Sequence, residues 1–156
     1  MNNFMKLEIA AQGINEGFAR SAVAAFALSL NPSLTELSDI KTAVSEAVTN
    51  CIVHAYKRKN AEDKIYIECR AEEMETGGVL HIKISDLGCG IEDVEKAVLP
   101  FYTTLAEEER SGMGFTIMQT FMTAFSVCSE KGKGTTVQMS KRIGCEKLQE
   151  KEKLNA

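Results

Sequence analysis

The sequence predicts an α+β fold, a two-layer α/β sandwich with helices on one face of a mostly antiparallel mixed sheet. Three observations predict it. Two runs alternate apolar with polar residues around the glycines Gly77-Gly78: Ile65, Ile67, Cys69 and Ala71, then Leu80, Ile82 and Ile84. Two earlier and longer segments carry apolar residues at helical spacing instead. Strands and helices interleave without a steady βαβ rhythm, which fits a sheet layer with helices on one side.

Taken in chain order, Lys6 to Ala11 alternates through Leu7, Ile9 and Ala11 and reads as a short strand. Asn15 is placed to cap a helix running to about Leu30, with Phe18, Ala22, Ala25 and Phe26 as its apolar stripe. Asn31-Pro32-Ser33 stops it. A second helix, about Thr35 to Tyr56, carries Ile40, Val44, Ala47, Val48, Cys51, Ile52 and Ala55 at helical spacing. The polar run Lys57 to Lys64 is a loop, followed by the hairpin. Glu92 to Leu99 forms a short helix halted by Pro100. Phe101 to Gly112 lacks periodicity and carries Glu107, Glu108, Glu109 and Arg110, which marks a candidate lid. A helix resumes over Gly114 to Thr123, and two further strands, around Val127 and Thr136 to Met139, flank a Gly132-Lys133-Gly134 turn.

Length bounds the organisation. A chain of 156 residues fits one domain, assigned to residues 1–142 with a polar tail over 143–156. The net charge of -4 and a pI near 5.3 disfavour a face for nucleic acid, because no basic cluster is available to neutralise phosphates. The N-terminal stretch lacks a signal-peptide pattern, and no apolar run is long enough to span a bilayer, so no membrane partner and a cytoplasmic location are expected. The five cysteines are scattered without a C-x-x-C pair, so reduced thiols are expected rather than zinc or redox chemistry. Cys51, Cys69 and Cys128 fall within apolar patterns, where a thiol acts as a small hydrophobe.

Four short patterns carry the chemistry. Glu46 and Asn50 lie one turn apart on a single ridge of the second helix. Asn50 offers a hard oxygen to magnesium, and Glu46 can accept a proton from an attacking hydroxyl or orient it. Asp86-x-Gly88-x-Gly90 follows a strand, where glycines admit a flat ligand and Asp86 can accept from an exocyclic amine. Gly112-Met113-Gly114 opens a helix, whose free N–H groups and dipole suit phosphate oxygens, with Arg110 placed for a charge-assisted contact. Gly132-x-Gly134-Thr135-Thr136 is the fourth. Each alone also fits a solvated helix face, a loop arginine or a plain glycine turn. Their order and context together point to ATP with magnesium. Neither a Walker nor a dinucleotide fingerprint is present.

These four patterns resemble the boxes of the ATPase/kinase superfamily that contains gyrase, Hsp90, histidine kinases and MutL. Met5 to about Arg142 is similar to the anti-sigma factors that are serine-protein kinases. The stretches from Ile40 to Asn50 and from Glu109 to Met118 resemble the sporulation anti-sigma F group within them. The resemblance implies a Bergerat-type ATP-binding fold with ATP or ADP and Mg2+ as cofactors. It implies Glu46 as catalytic carboxylate, Asn50 as magnesium ligand, and Asp86 on the adenine amine. Gly88 belongs to the same cofactor-binding box, with Gly90 beneath the base and Thr135 supporting the adenine contact. Gly112 and Gly114 would hold phosphates beside Arg110. It also implies a homodimer that sequesters a sporulation RNA polymerase sigma factor and phosphorylates an anti-anti-sigma protein on serine.

The residues themselves narrow the activity. A histidine kinase needs a phospho-accepting histidine on a separate hairpin, whereas His54 lies within the second helix and His81 within a strand. The gyrase, MutL and Hsp90 pockets work with large additional domains, for which this sequence has no room. A bare nucleotide domain would act on, or hold, another protein, and the resemblance implies that it does so as a kinase and anti-sigma factor. The competing reading is a nucleotide-holding binding module, or an ATPase without protein kinase turnover. Arg20, on the polar side of the first helix, and Arg110 are candidate partner contacts, and Arg20 equally fits a solvated face.

Overall fold

The structure, a computed structural model, describes residues 2–56, 60–100 and 113–144. Five strands form one sheet: β1 (Asn2–Ala10), β2 (Lys64–Glu73), β3 (Gly78–Asp86), β4 (Ala124–Glu130) and β5 (Gly134–Ile143), in the order β1-β2-β3-β5-β4. The helices are α1 (Glu16–Ala27), α2 (Leu34–Asn50), the single turn α3 (Val94–Ala97) and α4 (Gly114–Phe121). All four strand pairings among the described residues are antiparallel, so the mixed pairing expected from sequence is not found among them. The cause is topological: the chain leaves β3, returns through α4 to the outer position β4, and β5 then folds back between β4 and β3.

Side-chain alternation sets the two layers. Ile65, Ile67, Cys69 and Ala71 of β2 lie beside Leu80, Ile82 and Ile84 of β3, and all are buried against the helices. From α2, Ile40, Ala43, Val44, Ala47 and Val48 reach into the same core, each at most 1% exposed. Truncating Ile40 to Ala would cost about 2–5 kcal/mol at such a site. Small residues Ala19, Val23 and Ala27 let α1 pack closely on α2, and Met118 seats α4 there. The other sheet face is polar, with Lys6 and Lys83 flanking Glu68 at 3.6 and 3.2 Å. Such exposed pairs are worth roughly 0–1 kcal/mol each.

Local chemistry moves several element ends. α2 begins at a capping box: Glu36 N–H donates to Ser33 Oγ (3.1 Å), and Ser33 N–H donates to Glu36 Oε2 (2.7 Å). Glu36 is buried, and its other oxygen accepts from Gly144 N (2.9 Å), pinning the end of β5 to the start of α2. Asn15 precedes α1, but its side chain makes no cap there and donates to Ala10 O instead (3.0 Å). The expected single helix to Tyr56 is α-helical only to Asn50 and then widens into a π turn, Cys51–Ala55. A π turn loosens the i→i−4 ladder and frees carbonyls, which here meet the loop after β3. Cys128, expected in an apolar setting, is exposed on the polar sheet face. Cys51, Cys69, Cys89 and Cys128 are free thiols, and no described helix is long and apolar enough to cross a membrane.

Candidate functional site

α2 carries Glu46 and Asn50 half-buried near its C-terminal end, and α4 packs against it. Their side chains converge on the first residue of α4. A Cβ built on Gly114 would lie 3.2 Å from Glu46 Oε2 and 3.4 Å from both Asn50 Oδ1 and Nδ2. A side chain there would crowd this polar pair by a few tenths of an ångström. Among the described residues the N-cap position, Met113, makes no side-chain cap, and the dipole of α4 favours an anion at this end.

The second half of the site lies at the end of β3. Asp86 is buried, and its Oδ1 accepts from Gly88 N (2.9 Å) and Thr135 N (3.2 Å). The Cys51 thiol, next in sequence to Asn50, also hydrogen-bonds this carboxylate. Burial pushes the Asp86 carboxyl above its ordinary range, and the bonds from Gly88, Cys51 and Thr135 oppose that shift. The Cys51 thiol is itself pushed well up by burial and by the neighbouring carboxylate. Through this contact the two halves of the site share one rigid support.

The loop Leu87 to Ile91 is strapped on both sides. The π turn supplies one strap: Cys89 N donates to Ala55 O (2.7 Å) and Cys89 Sγ to His54 O (3.3 Å). Gly88 is pressed there so closely that a Cβ would stand 2.2 Å from Ala55 O. Tyr56 adds a second tie, its hydroxyl accepting from Leu87 N (3.0 Å) and donating to Lys64 O (2.6 Å). From the other side, Gly132 N donates to Cys89 O (2.7 Å) and Ile91 N to Ser129 Oγ (2.7 Å). Gly90, at φ +70, turns the chain beneath Glu130 O where a Cβ would not fit.

Glu46, Asn50 and Gly114 therefore form one cluster, and Asp86, Gly88, Gly90 and Thr135 another, joined by Cys51. Gly112 and Arg110 lie outside the described residues, as does the expected lid. Arg20 is on α1, paired with Glu16 on its own helix (3.4 Å), and its side chain is half exposed. Cys51, Tyr56 and Ser129 were not signalled as site residues by any pattern. Cys51 sits in the apolar stripe, Tyr56 ends a helix, and Ser129 is a single strand position. The one available hint was the adjacency of Cys51 and Asn50.

Residues 11–141 match the family described as Histidine kinase-like ATPase domain, which carries nucleotide binding with it. The chain is 54% identical over 143 residues to the anti-sigma F factor of Caldanaerobacter subterraneus subsp. tengcongensis, covering 92% of this chain and 96% of that protein. It is 52% identical over 145 residues to the anti-sigma F factor of a Thermoanaerobacter species, covering 93% and 97%. In fold it is similar to a Mycobacterium tuberculosis structure of RsbU and RsbW domains, with a TM-score of 0.60 and 15% identity over 89% of this chain and 32% of that one. The five-stranded antiparallel sheet, the paired Glu46 and Asn50 and the buried Asp86 sit within a chain matched almost end to end, which thus belongs to the histidine kinase-like ATPase domain family and, within it, to the anti-sigma F factors.

Proposed function

We propose that the chain is an ATP-dependent protein serine kinase that also sequesters a sporulation RNA polymerase sigma factor. Its phosphate acceptor would be a serine of the anti-anti-sigma protein. The observation that carries this reading is the convergence of Glu46 and Asn50 on Gly114, at the start of α4. A carboxylate at the phosphate end has a use in chemistry that a passive nucleotide holder lacks. The relatives' name, anti-sigma F factor, supports the sigma-binding half.

The donor set fits a metal shared with phosphates. Among the described residues no group of His, Cys, Asp or Glu makes an all-protein cage, whereas one carboxamide oxygen beside an anion-binding helix start is the usual partial set for magnesium. Asn50 would hold Mg2+, which when bound neutralises charge on the phosphates. Asp86 accepts from the 6-amino group of adenine, and Gly88 and Gly90 allow the base to lie on backbone. The first-turn amides of α4, with Gly112 and Arg110, hold phosphate oxygens.

Glu46 then orients the incoming serine hydroxyl and takes its proton. The serine Oγ forms a bond to the γ-phosphorus, the bond from that phosphorus to the β–γ bridging oxygen breaks, and ADP leaves. Arg20 and Arg110 serve as partner contacts, and the working unit is a homodimer in the cytoplasm. The test mixes the protein with γ-labelled ATP, magnesium and the anti-anti-sigma protein. Label on a serine supports the kinase. Tight partner binding without label returns the chain to a nucleotide-holding module, and phosphate release without a partner to a plain ATPase.

A further inference from the structure

Beneath the base end of the pocket, Ser129 Oγ meets three groups at hydrogen-bond distance. Ile91 N donates to it at 2.7 Å, Gly134 O lies at 2.9 Å and Thr135 Oγ1 at 2.8 Å. Ser129 and Thr135 are directly opposed across β4 and β5. Thr135 in turn sits against Asp86 through its own N–H, at 3.2 Å.

Proton counting decides how this knot is wired. Ser129 has one proton and two lone pairs. A carbonyl can only accept, so the contact to Gly134 O takes the Ser129 proton. The Ile91 N–H fills one lone pair. The remaining contact then has Thr135 Oγ1–H donating to Ser129, which completes Ser129 and points the Thr135 proton away from Asp86. The other donors around Asp86 are also committed: Gly88 and Thr135 N–H to Asp86, Leu87 N–H to Tyr56, and Cys89 N–H to Ala55. The Cys51 thiol is spent on Asp86 as well. Among the described residues, two kinds of acceptor remain at this end, the Asp86 carboxylate and the Thr135 hydroxyl oxygen.

We infer that Ser129 is a positioning residue for base specificity, holding the Thr135 hydroxyl as an acceptor so that the pocket favours a 6-amino purine over a 6-oxo purine. The inference rests on the assignment of Asp86 to the adenine amine. A 6-oxo base presents an acceptor to the Asp86 carboxylate and the Thr135 hydroxyl oxygen, and a buried acceptor facing acceptors is penalised. Without Ser129 the Thr135 hydroxyl is free to turn and donate, which relieves that penalty.

The experiment is calorimetric titration of the full chain with magnesium and either ATP or inosine triphosphate. Wild type should prefer ATP. Ser129→Ala should narrow the ratio of the two affinities by roughly three- to tenfold, the worth of one neutral hydrogen bond. Ser129→Thr, which keeps the hydroxyl, should restore the ratio, an outcome that mere loosening of the loop would not produce. Thr135→Val leaves the Ser129 bonds to Ile91 and Gly134 in place and should also narrow it, so the test survives if Ser129→Ala fails to fold. An unchanged ratio in Thr135→Val, or in a folded Ser129→Ala that still binds ATP, overturns the role of Ser129 and leaves the adenine assignment standing. Equal affinity of wild type for both nucleotides, or a ratio indifferent to Asp86→Ala, overturns the adenine assignment and the inference with it.

Discussion

Replacing Gly88 with alanine should loosen the whole base end of the pocket. Gly88 does not occupy the left-handed region, so backbone conformation is not the obstacle. The obstacle is contact. The new Cβ would stand 2.2 Å from Ala55 O, 2.5 Å from Ala55 C and 2.6 Å from its Cβ. Ordinary contact begins near 3.4 Å, so the loop must retreat from the π turn by about 1.2 Å. That movement breaks the 2.7 Å bond from Cys89 N to Ala55 O and strains the one from Gly88 N to Asp86. A buried amide left unpaired costs about 1–3 kcal/mol, and overpacking costs about as much. With partial relaxation we expect a loss of about 2–4 kcal/mol. For a chain of this size that lowers the unfolding midpoint by roughly 4–16 °C. Thermal unfolding followed by circular dichroism reads this directly, with Gly13→Ala as control because no atom lies within 4 Å of its Cβ position. A Gly88→Ala midpoint equal to wild type, with unchanged ADP affinity, would refute the docking of the loop on the π turn.

Other perturbations separate the remaining parts of the site. The Asp86 carboxyl is raised by burial, so the stability linked to this group is fully present below its unfolded-state value and is lost as pH rises through the raised folded-state value. Nucleotide affinity runs the opposite way, because the amine needs an ionised acceptor. It should fall on acidification at a pH above the ordinary aspartate value of 3.8, and titrations across the acid range should lose that limb in Asp86→Asn. Asn50→Ala should abolish the magnesium dependence of ATP binding, read by titration with and without EDTA, and retained dependence would misplace the metal ligand. Iodoacetamide should modify exposed Cys128 before Cys51 or Cys69, since burial pushes the Cys69 thiol up to about 12 and Cys51 well above its usual range. Peptide mapping showing Cys51 labelled first in the folded protein would contradict the packing of that thiol on Asp86.

Periodicity alone made the layers legible. The alternation of β2 and β3 and the apolar stripe of α2 each report burial on one face, which is the property the fold depends on. Order and spacing likewise singled out Glu46, Asn50, Asp86, Gly88, Gly90 and Gly114 as candidates, and the fold gathers them into two clusters. The π turn stayed hidden, since residues 51–55 keep an apolar pattern that suits an α-helix equally well. What widens the helix there is tertiary, the bonds from Cys89 to His54 and Ala55. The buried role of Glu36 was half legible: Ser33-x-x-Glu36 is a capping box by sequence, but its clamp on Gly144 spans 108 residues. Ser129 had no local signature, because its function is the direction of a proton that only the assembled knot defines. Cys128 lies on the uncovered face, which stayed hidden because alternation shows that a strand has two faces without showing which one is covered.

The reading turns on Glu46, half-buried beside Gly114 and Asn50. Its direct test is paired measurement on Glu46→Gln, which keeps the shape and removes the base. ATP affinity should stay within roughly threefold of wild type, since a group that acts on the acceptor hydroxyl contributes little to ground-state nucleotide binding. Single-turnover transfer of the γ-phosphate to the anti-anti-sigma serine should fall by about 10²–10⁴-fold. Transfer at the wild-type rate in Glu46→Gln would contradict the account.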